Sequence, residues 1–351
     1  MACPSFHAFV IRILGRDIMQ IVIVHNAVDA DSRADEQDVL IQSAAVAQAL
    51  IEWGHAPTTM ACTLDLTRMK HQLEAMMPDM VFNLVESLDG EGRLIHLFPA
   101  LLDSMGVPYT GSCTEAIYFT SHKTLAKERM VTAGIPTPTW RGPFPQDIPS
   151  IQCPPFKVEG ARWLVKSVWE HGSLGLDDDE PISNVTLTEL DQILEERAPD
   201  LGKACFAEVY IPGREFNLSL ISGPMGPKIL PPAEIIFENY IAEKLPIVGY
   251  RAKWDSESYE YHHTPRRFDF PPEDVILLDK LQSIAMKCWE VFGLNGYARV
   301  DFRVDGQGNP WVLEINSNPC LSPDAGFAAA VEQAGLSYAD AVERIIGTEF
   351  K

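Results

Sequence analysis

A chain of 351 residues, 46% hydrophobic and 22% charged, has an ordinary globular composition, and its length asks for two or three cores rather than one. A formal net charge of −21 disfavours sequence-independent binding to nucleic acid and docking on anionic membranes. Seven scattered cysteines without a Cys-x-x-Cys pair fit neither a disulfide framework nor a zinc site, and read as reduced thiols of a cytoplasmic protein.

No apolar run reaches the length of a membrane span. Residues 1–17 lack the apolar length and cleavage site of a signal peptide. Met19 opens a clean strand pattern, so residues 1–18 read as a loose extension or as lying upstream of the true start. Gln20–His25 is expected as a buried strand. Ala34–Trp53 is expected as a helix with Val39, Leu40, Ala44, Val46, Ala47 and Leu50 on its apolar side. Pro78–Asn83 predicts a second buried strand and Leu94–Met105 a helix closed by Gly106. Strand alternating with helix implies a parallel sheet with helices outside, over residues 1–112. Sites in such sheets lie at the carboxyl ends of strands, here His25–Glu36 and Asn83–Arg93.

Residues 113–207 form a second block. Thr114–Ala133 predicts one helix, carrying Lys123. A loop follows through Pro143, Pro145, Pro149, Pro154 and Pro155, then a strand Trp163–Lys166, the loop Glu170–Gly175 and a helix Thr188–Arg197. A glycine-containing loop after a strand can close backbone N–H groups on phosphate oxygens, with a lysine supplying charge. Alone, Gly172-Ser-Leu-Gly175 matches many turns, and Lys123 is as well read as a solvated helix lysine.

Residues 208–351 form the third block. It holds strands around Phe216–Ser222 headed by Arg214-Glu215, a mobile-looking stretch Gly249–Ser258, a helix Pro272–Phe292 and a C-terminal helix from Tyr338. Between them lies a hairpin pattern. Gly296–Val304 and Pro310–Asn316 alternate apolar and polar residues about the turn formers of Asp305-Gly-Gln-Gly-Asn. Glu314 and Asn316 point the same way on their strand, and Asp301 can lie beside them. Three oxygen donors on one sheet face suit Mg²⁺, which then usually also binds nucleotide phosphates. The bland alternative is a solvated acidic face, but Val312, Leu313 and Ile315 make the strand look buried, and buried carboxylates need a partner.

The order of these pieces resembles the ATP-grasp superfamily, and within it the D-alanine–D-alanine ligases, over about residues 19 to 347. The motifs are Val107-Pro-Tyr-Thr-Gly-Ser112, Lys123, Leu164-Val-Lys166 with His171-Gly-Ser-Leu-Gly175, Glu208-Val-Tyr-Ile211 with Gly213-Arg-Glu215, Tyr250-Arg-Ala-Lys253, and Arg299, Asp301, Glu314 and Asn316. The resemblance implies an α/β (α+β) ATP-grasp fold, an N-terminal parallel domain (1–112) plus two α+β domains (113–207 and 208–351) clamping ATP. It implies that Lys123 and Lys166 hold the α- and β-phosphates under a flap containing Gly172 and Ser173. Lys253 would also reach the phosphates. Glu208 and the backbone near Ile211 would take the adenine, and Glu215 the ribose. Asp301, Glu314 and Asn316 would bind two Mg²⁺ ions, with Mn²⁺ able to substitute. Arg299 and backbone near Cys320 would stabilise the oxyanion formed when an amine attacks an acyl phosphate. A homodimer is implied by the family alone.

The departures fall on the amino-acid side. The family's Gly-Gly and Glu-Arg-Glu-Val-Ser is here His25-Asn26 and Asp35-Glu-Gln-Asp-Val39, with Glu36 at the place of the substrate-amine glutamate. Asn83-Leu-Val-Glu86 and Asp89-Gly-Glu-Gly92 replace two further motifs. Gly172 replaces a flap serine, Trp254 a tyrosine and Cys320 a glycine. Ala325 falls where a serine meets the acceptor's carboxylate. Among other residues, Glu86 and Glu91 read as amine binders or as exposed loop carboxylates, Asp324 as an acceptor contact or a helix N-cap. His262-His263 reads as part of a solvated strand, Arg266-Arg267 as phosphate binders or surface residues, Trp289 as core, and Cys320 as packing rather than a nucleophile. The expected function is ATP- and Mg²⁺-dependent joining of a carboxylate, an amino acid, to an amine, with a substrate pair other than two D-alanines. The alternatives are a true D-alanine–D-alanine ligase with a drifted pocket and a non-catalytic ATP-binding regulatory protein.

Overall fold

The computed structural model describes residues 12–13, 16–29, 31–145, 160–170, 172–176, 181–240 and 244–347. Expectations for residues 1–11, for Pro149, Pro154 and Pro155, and for His171 lie outside the described residues. The first sheet is centred on a β-branched run, Ile21–Val24, buried on both faces. Strands β1 (Gln20–Asn26), β2 (Ala56–Cys62) and β3 (Met80–Leu84) are parallel in the order β2-β1-β3. Ile21 and Ile23 pack one way, against Val46 and Leu50 of helix α1 (Ala34–Glu52). Val22 and Val24 pack the other way, against Met69 and Leu73 of α2 (Leu66–Met76) and Phe98 and Leu102 of α3 (Leu97–Met105). Such two-sided burial explains the unbroken apolar run. The buried face of α1 is Val39, Gln42, Ser43, Val46, Ala49 and Leu50, whereas Leu40 and Ala44 are exposed, a correction to the expected stripe.

The expected single helix Thr114–Ala133 is two, α4 (Thr114–Ser121) and α5 (Lys123–Thr132). His122 separates them with an extended backbone and caps α5, accepting from the Leu125 N–H at 3.3 Å. Strands β4 (Trp140–Phe144), β5 (Arg162–Ser167), β6 (Ile182–Ser183) and β7 (Cys205–Val209) form an antiparallel sheet in the order β4-β7-β5-β6, backed by α6 (Leu187–Arg197). Pro143 thus belongs to a strand, not a loop, and β7 runs across the expected 207/208 division.

The third sheet is built on β8 (Gly213–Ile221), flanked by β10 (Ala233–Ile235) and β12 (Tyr297–Asp305); β9 (Lys228–Ile229) also pairs with β8. β11 (Arg266–Arg267) and β13 (Pro310–Asn316) close its edges. Phe216, Leu218, Val300 and Phe302 face Leu281, Ala285, Trp289 and Phe292 of α9 (Val275–Phe292). Phe216 and Phe302 are fully buried, each stabilising by about 1.5–3 kcal/mol. Alternation along the strands leaves the polar residues on the opposite face. Gly249–Ser258 contains a helix, α7 (Tyr250–Trp254), rather than a loose loop; α8 (Tyr259–His262) holds His262, where a strand was expected. Helices α10 (Gly326–Gln333) and α11 (Tyr338–Ile346) return to the first sheet, where Phe327 and Ile345 join its core. Val107–Ser112 runs beside β3, Thr110 N–H donating to Val81 C=O at 3.0 Å. There Gly111 and Gly296 cross so closely that a Cβ on Gly296 would lie 2.9 Å from Gly111 Cα.

Candidate active site

A cavity of about 880 Å³ opens where the three sheets meet. The third sheet supplies Glu215 and Asn217 from β8, Arg299, Asp301 and Arg303 from β12, and Glu314 and Asn316 from β13. Asp301 lies opposite Glu314 and Arg299 opposite Asn316, with a bulge after Asp301. Arg299 donates to both Asp301 oxygens at 2.8 Å, Asn217 to Oδ1 at 2.8 Å and Asn316 to Oδ2 at 3.0 Å. Burial alone would raise the Glu314 pKa. Lys123, Lys253, Lys166 and Arg299 instead hold it far below the usual carboxylate range. Among the described residues no three His, Cys, Asp or Glu side chains are placed to hold a metal ion by themselves. Two carboxylates and an amide fit a hard cation whose remaining positions are filled by phosphate or water oxygens.

The lysines converge on the same space. Lys123 opens α5 and donates to the Glu170 carbonyl at 2.5 Å; burial is the main cause lowering its pKa. Lys166 on β5 donates to Glu208 Oε1 at 2.7 Å, and the fully buried Lys127 pairs with the other oxygen. Glu208, lining the cavity, is therefore also the counter-charge of two ammoniums. Arg303 donates to Glu215 Oε2 at 3.1 Å and to the Ile211 carbonyl at 3.0 Å. Lys127, Asn217 and Arg303 were not singled out from sequence. For Asn217 the signal was there, since it shares a strand face with Glu215.

A flap covers the cavity. Gly172 and Ser173 have φ of +71° and +65°. Ser173 Oγ donates to the Val248 carbonyl at 2.9 Å, Trp254 Nε1 to the Gly172 carbonyl at 3.3 Å, and Tyr250 OH to Asp35 Oδ1 at 3.0 Å. The flap, α7 and the start of α1 thus meet over the site.

Helix α1, Glu86 just after β3, and the loop after β13 close the far wall. Gln42 Nε2 donates to Asp38 Oδ2 at 3.1 Å and to Glu86 Oε1 at 2.9 Å, so two carboxylates that line the cavity share one amide. Cys320 donates its thiol to Asp38 Oδ2 at 3.1 Å, and Ser322 Oγ donates to Asp38 Oδ1 at 2.7 Å. Glu36, expected at the substrate amine, does not line this wall: it accepts from the Arg33 N–H at 3.0 Å and pairs with the Arg33 guanidinium at 3.4 Å. Glu91 is likewise drawn away, into ion pairs with Arg93 and Lys203.

A family model described as D-ala D-ala ligase C-terminus matches residues 132–347. The chain belongs to the D-alanine–D-alanine ligase family. A D-alanine–D-alanine ligase of Moorella thermoacetica is 29% identical over 325 residues, 89% of this chain and 95% of that protein. An uncharacterized protein, y4sG, of Sinorhizobium fredii is 31% identical over 309 residues, 86% of this chain and 85% of that protein. The Bacillus anthracis D-alanine–D-alanine ligase complexed with ATP matches in fold with a TM-score of 0.69, at 20% identity and over 94% of this chain and 97% of that one. This D-alanine–D-alanine ligase relative is an ATP-grasp, ATP-dependent and ADP-forming ligase. No helix among its described residues is long and apolar enough to cross a membrane. Within this ligase relative, Trp289 is core, as its helical spacing implied. Asp324 lines the cavity but is not the cap of α10, a place taken by Ala325.

Proposed function

We propose that this ligase joins an amino acid, activated at its carboxylate, to an amine, and that the pair is not two D-alanines. The observation that carries the reading is the far wall, where Asp38 and Glu86 face the cavity across one glutamine amide. Burial pushes the Glu86 carboxyl up to about 7, the Gln42 hydrogen bond opposes this, and Asp38 and Asp35 add to it. A cationic amine between these groups restores the lost solvation and charge balance. The carboxylate donor is therefore an amino acid whose ammonium Asp38 and Glu86 hold, with Asp38 in the part first given to Glu36.

At the other end, Lys123, Lys166 and Lys253 position the phosphates of ATP beneath Gly172 and Ser173. Glu208 and the Ile211 backbone border the adenine, and Glu215 the ribose. Asp301, Glu314 and Asn316 would hold Mg²⁺, which when bound neutralises phosphate charge. Phosphoryl transfer asks mainly for positioning and charge neutralisation, and the lysines around Glu314 supply both. Arg299, fixed by Asp301, lies where charge develops on the carbonyl oxygen as the amine attacks; losing one such donor typically costs about 10²–10³ in rate. In this reading residues 1–112 carry the donor wall and residues 113–207 and 208–351 clamp ATP.

The test is phosphate release from ATP and Mg²⁺ against L- and D-amino acids, dipeptides and small hydroxy acids, with Glu314→Ala as control. Release that needs one pair, with a product of summed mass minus water, supports the reading and names the substrates. Turnover of D-alanine alone would make it a true D-alanine–D-alanine ligase. ATP binding without release across the panel would favour the regulatory alternative.

A further inference from the structure

Arg266 differs from the other guanidiniums about the cavity. Arg299 is neutralised by Asp301 at 2.8 Å and Arg303 by Glu215 at 3.1 Å, and Arg267, outside the cavity lining, by Glu234. Arg266, its neighbour on β11, lines the cavity and is exposed to it. Among the described residues no carboxylate forms an ion pair with it. Its Nη1 donates to the backbone carbonyl of Asp324 at 3.2 Å. Crowding by the surrounding protein and the nearby positive charge of Arg299 lower its pKa, and the Asp324 carboxylate opposes them. The side chain lies across the start of α10: a Cβ on Gly326 would come within 3.4 Å of Arg266 Nε. The neighbouring residue is Ala325, where the resemblance places a hydroxyl for the acceptor's carboxylate.

We propose that Arg266 determines acceptor specificity by binding an anionic group of the incoming amine. The inference rests on the ligase reading above. A guanidinium offers two parallel N–H groups to a carboxylate, a geometry that neither a lysine nor a hydroxyl reproduces. Arg266 contacts Asp324 and Gly326 at the start of α10, whereas Lys123 opens α5 and Lys166 lies on β5. It therefore serves the acceptor rather than ATP. The anionic group is either the acceptor's α-carboxylate or an acidic side chain.

The test uses the full-length enzyme with ATP and Mg²⁺, reading ADP formation with free amino acids, aspartate and glutamate among them, and with the matching amino-acid amides. Arg266→Ala should raise the acceptor KM by about 10–100-fold and leave the ATP KM unchanged. Arg266→Lys should recover part of that loss. Amidating the anionic group should penalise the wild type as much as the mutation does, and penalise Arg266→Ala no further. Loss on α-amidation identifies the α-carboxylate; loss only on side-chain amidation identifies an acidic acceptor. An unchanged acceptor KM in Arg266→Ala, or a raised ATP KM in its place, overturns the proposal while the ligase reading stands. No ADP formation by the wild type with any pair overturns the ligase reading, and this inference with it.

Discussion

The Cys320 thiol donates to Asp38 Oδ2 at 3.1 Å. Burial, with Glu86 and Asp38 adding negative charge, holds its pKa well above the ordinary thiol value. The thiolate is the reactive form, so Cys320 should be inert although it borders the cavity. With iodoacetamide at mildly alkaline pH, the peptide bearing Cys320 should stay unmodified while that of the exposed Cys113 is alkylated. Peptide mass mapping checks this. Equal labelling of the two would mean that Asp38 does not hold the thiol.

Glu86 gives a pH signature. Burial raises its pKa from the ordinary 4.5 to about 7 in the folded protein. Between those values the folded state keeps a proton that the unfolded chain has released. The associated stability is complete below pH 4.5 and drains away as pH rises towards 7. Glu86→Gln removes this titration. Thermal melts of the unliganded protein should show the variant gaining on the wild type as pH climbs through that window, with the gap constant on either side. A gap that stays flat would show that Glu86 is not held protonated.

Glu208 is the counter-charge of Lys166 and of the fully buried Lys127. Glu208→Gln leaves the buried Lys127 ammonium and the half-buried Lys166 beside a neutral amide. Breaking a buried pair this way costs about 3–5 kcal/mol. The urea midpoint should fall accordingly, and Lys127→Met in the same background should return part of the loss. A midpoint unmoved by Glu208→Gln would contradict the buried triad.

The hairpin of Asp301 and Glu314 was readable in the sequence because alternation fixes which residues share a strand face. That rule places Arg299, Asp301, Glu314 and Asn316 together without any tertiary information. Which of Glu36 and Asp38 faces the cavity was not readable from motif position alone. Two residues apart on a helix lie on nearly opposite sides, so the answer depends on helix phase. Gln42, one turn after Asp38 and buried, sets that phase, but a buried glutamine looks polar in a sequence. β2 was missed because it is an edge strand whose Thr58 and Thr59 are exposed. The break at His122 carries no glycine or proline signal. The place of Arg266 is not legible in the sequence, since it depends on β11 meeting α10 in space.

Metal dependence should be absolute if Asp301, Glu314 and Asn316 hold Mg²⁺. Mutating even residues behind a metal ligand costs about 10–100-fold, so Glu314→Ala should lose at least that much ATP turnover. The variant should still fold, but with a lowered melting temperature, because Lys123, Lys253, Lys166 and Arg299 lose the carboxylate that they hold far below its ordinary range. Excess chelator should silence the wild type, with activity restored by Mg²⁺ or Mn²⁺. Normal turnover by Glu314→Ala would sink the metal assignment.

Gly172 and Trp254 should behave as one unit. Gly172 has φ of +71°, and a Cβ there would lie 3.2 Å from Trp254 Nε1 and 3.6 Å from Asp35 Oδ2. The family's serine at this place therefore cannot simply be restored. Backbone strain in the left-handed region costs about 1–2 kcal/mol, and the side chain must also displace an indole that bonds the Gly172 carbonyl. If that cost falls on flap closure, Gly172→Ser should raise the ATP KM by about 5–30-fold. Trp254→Tyr removes the larger ring and its N–H, so alone it should weaken closure modestly. Combined, the tyrosine gives the serine room, and the double variant should be less impaired than the product of the single effects. A coupling of about 0.5 kcal/mol or more between contacting residues is ordinary. Strictly multiplicative effects would show that the flap and α7 close independently, and the contact between Gly172 and Trp254 would then have no part in holding ATP.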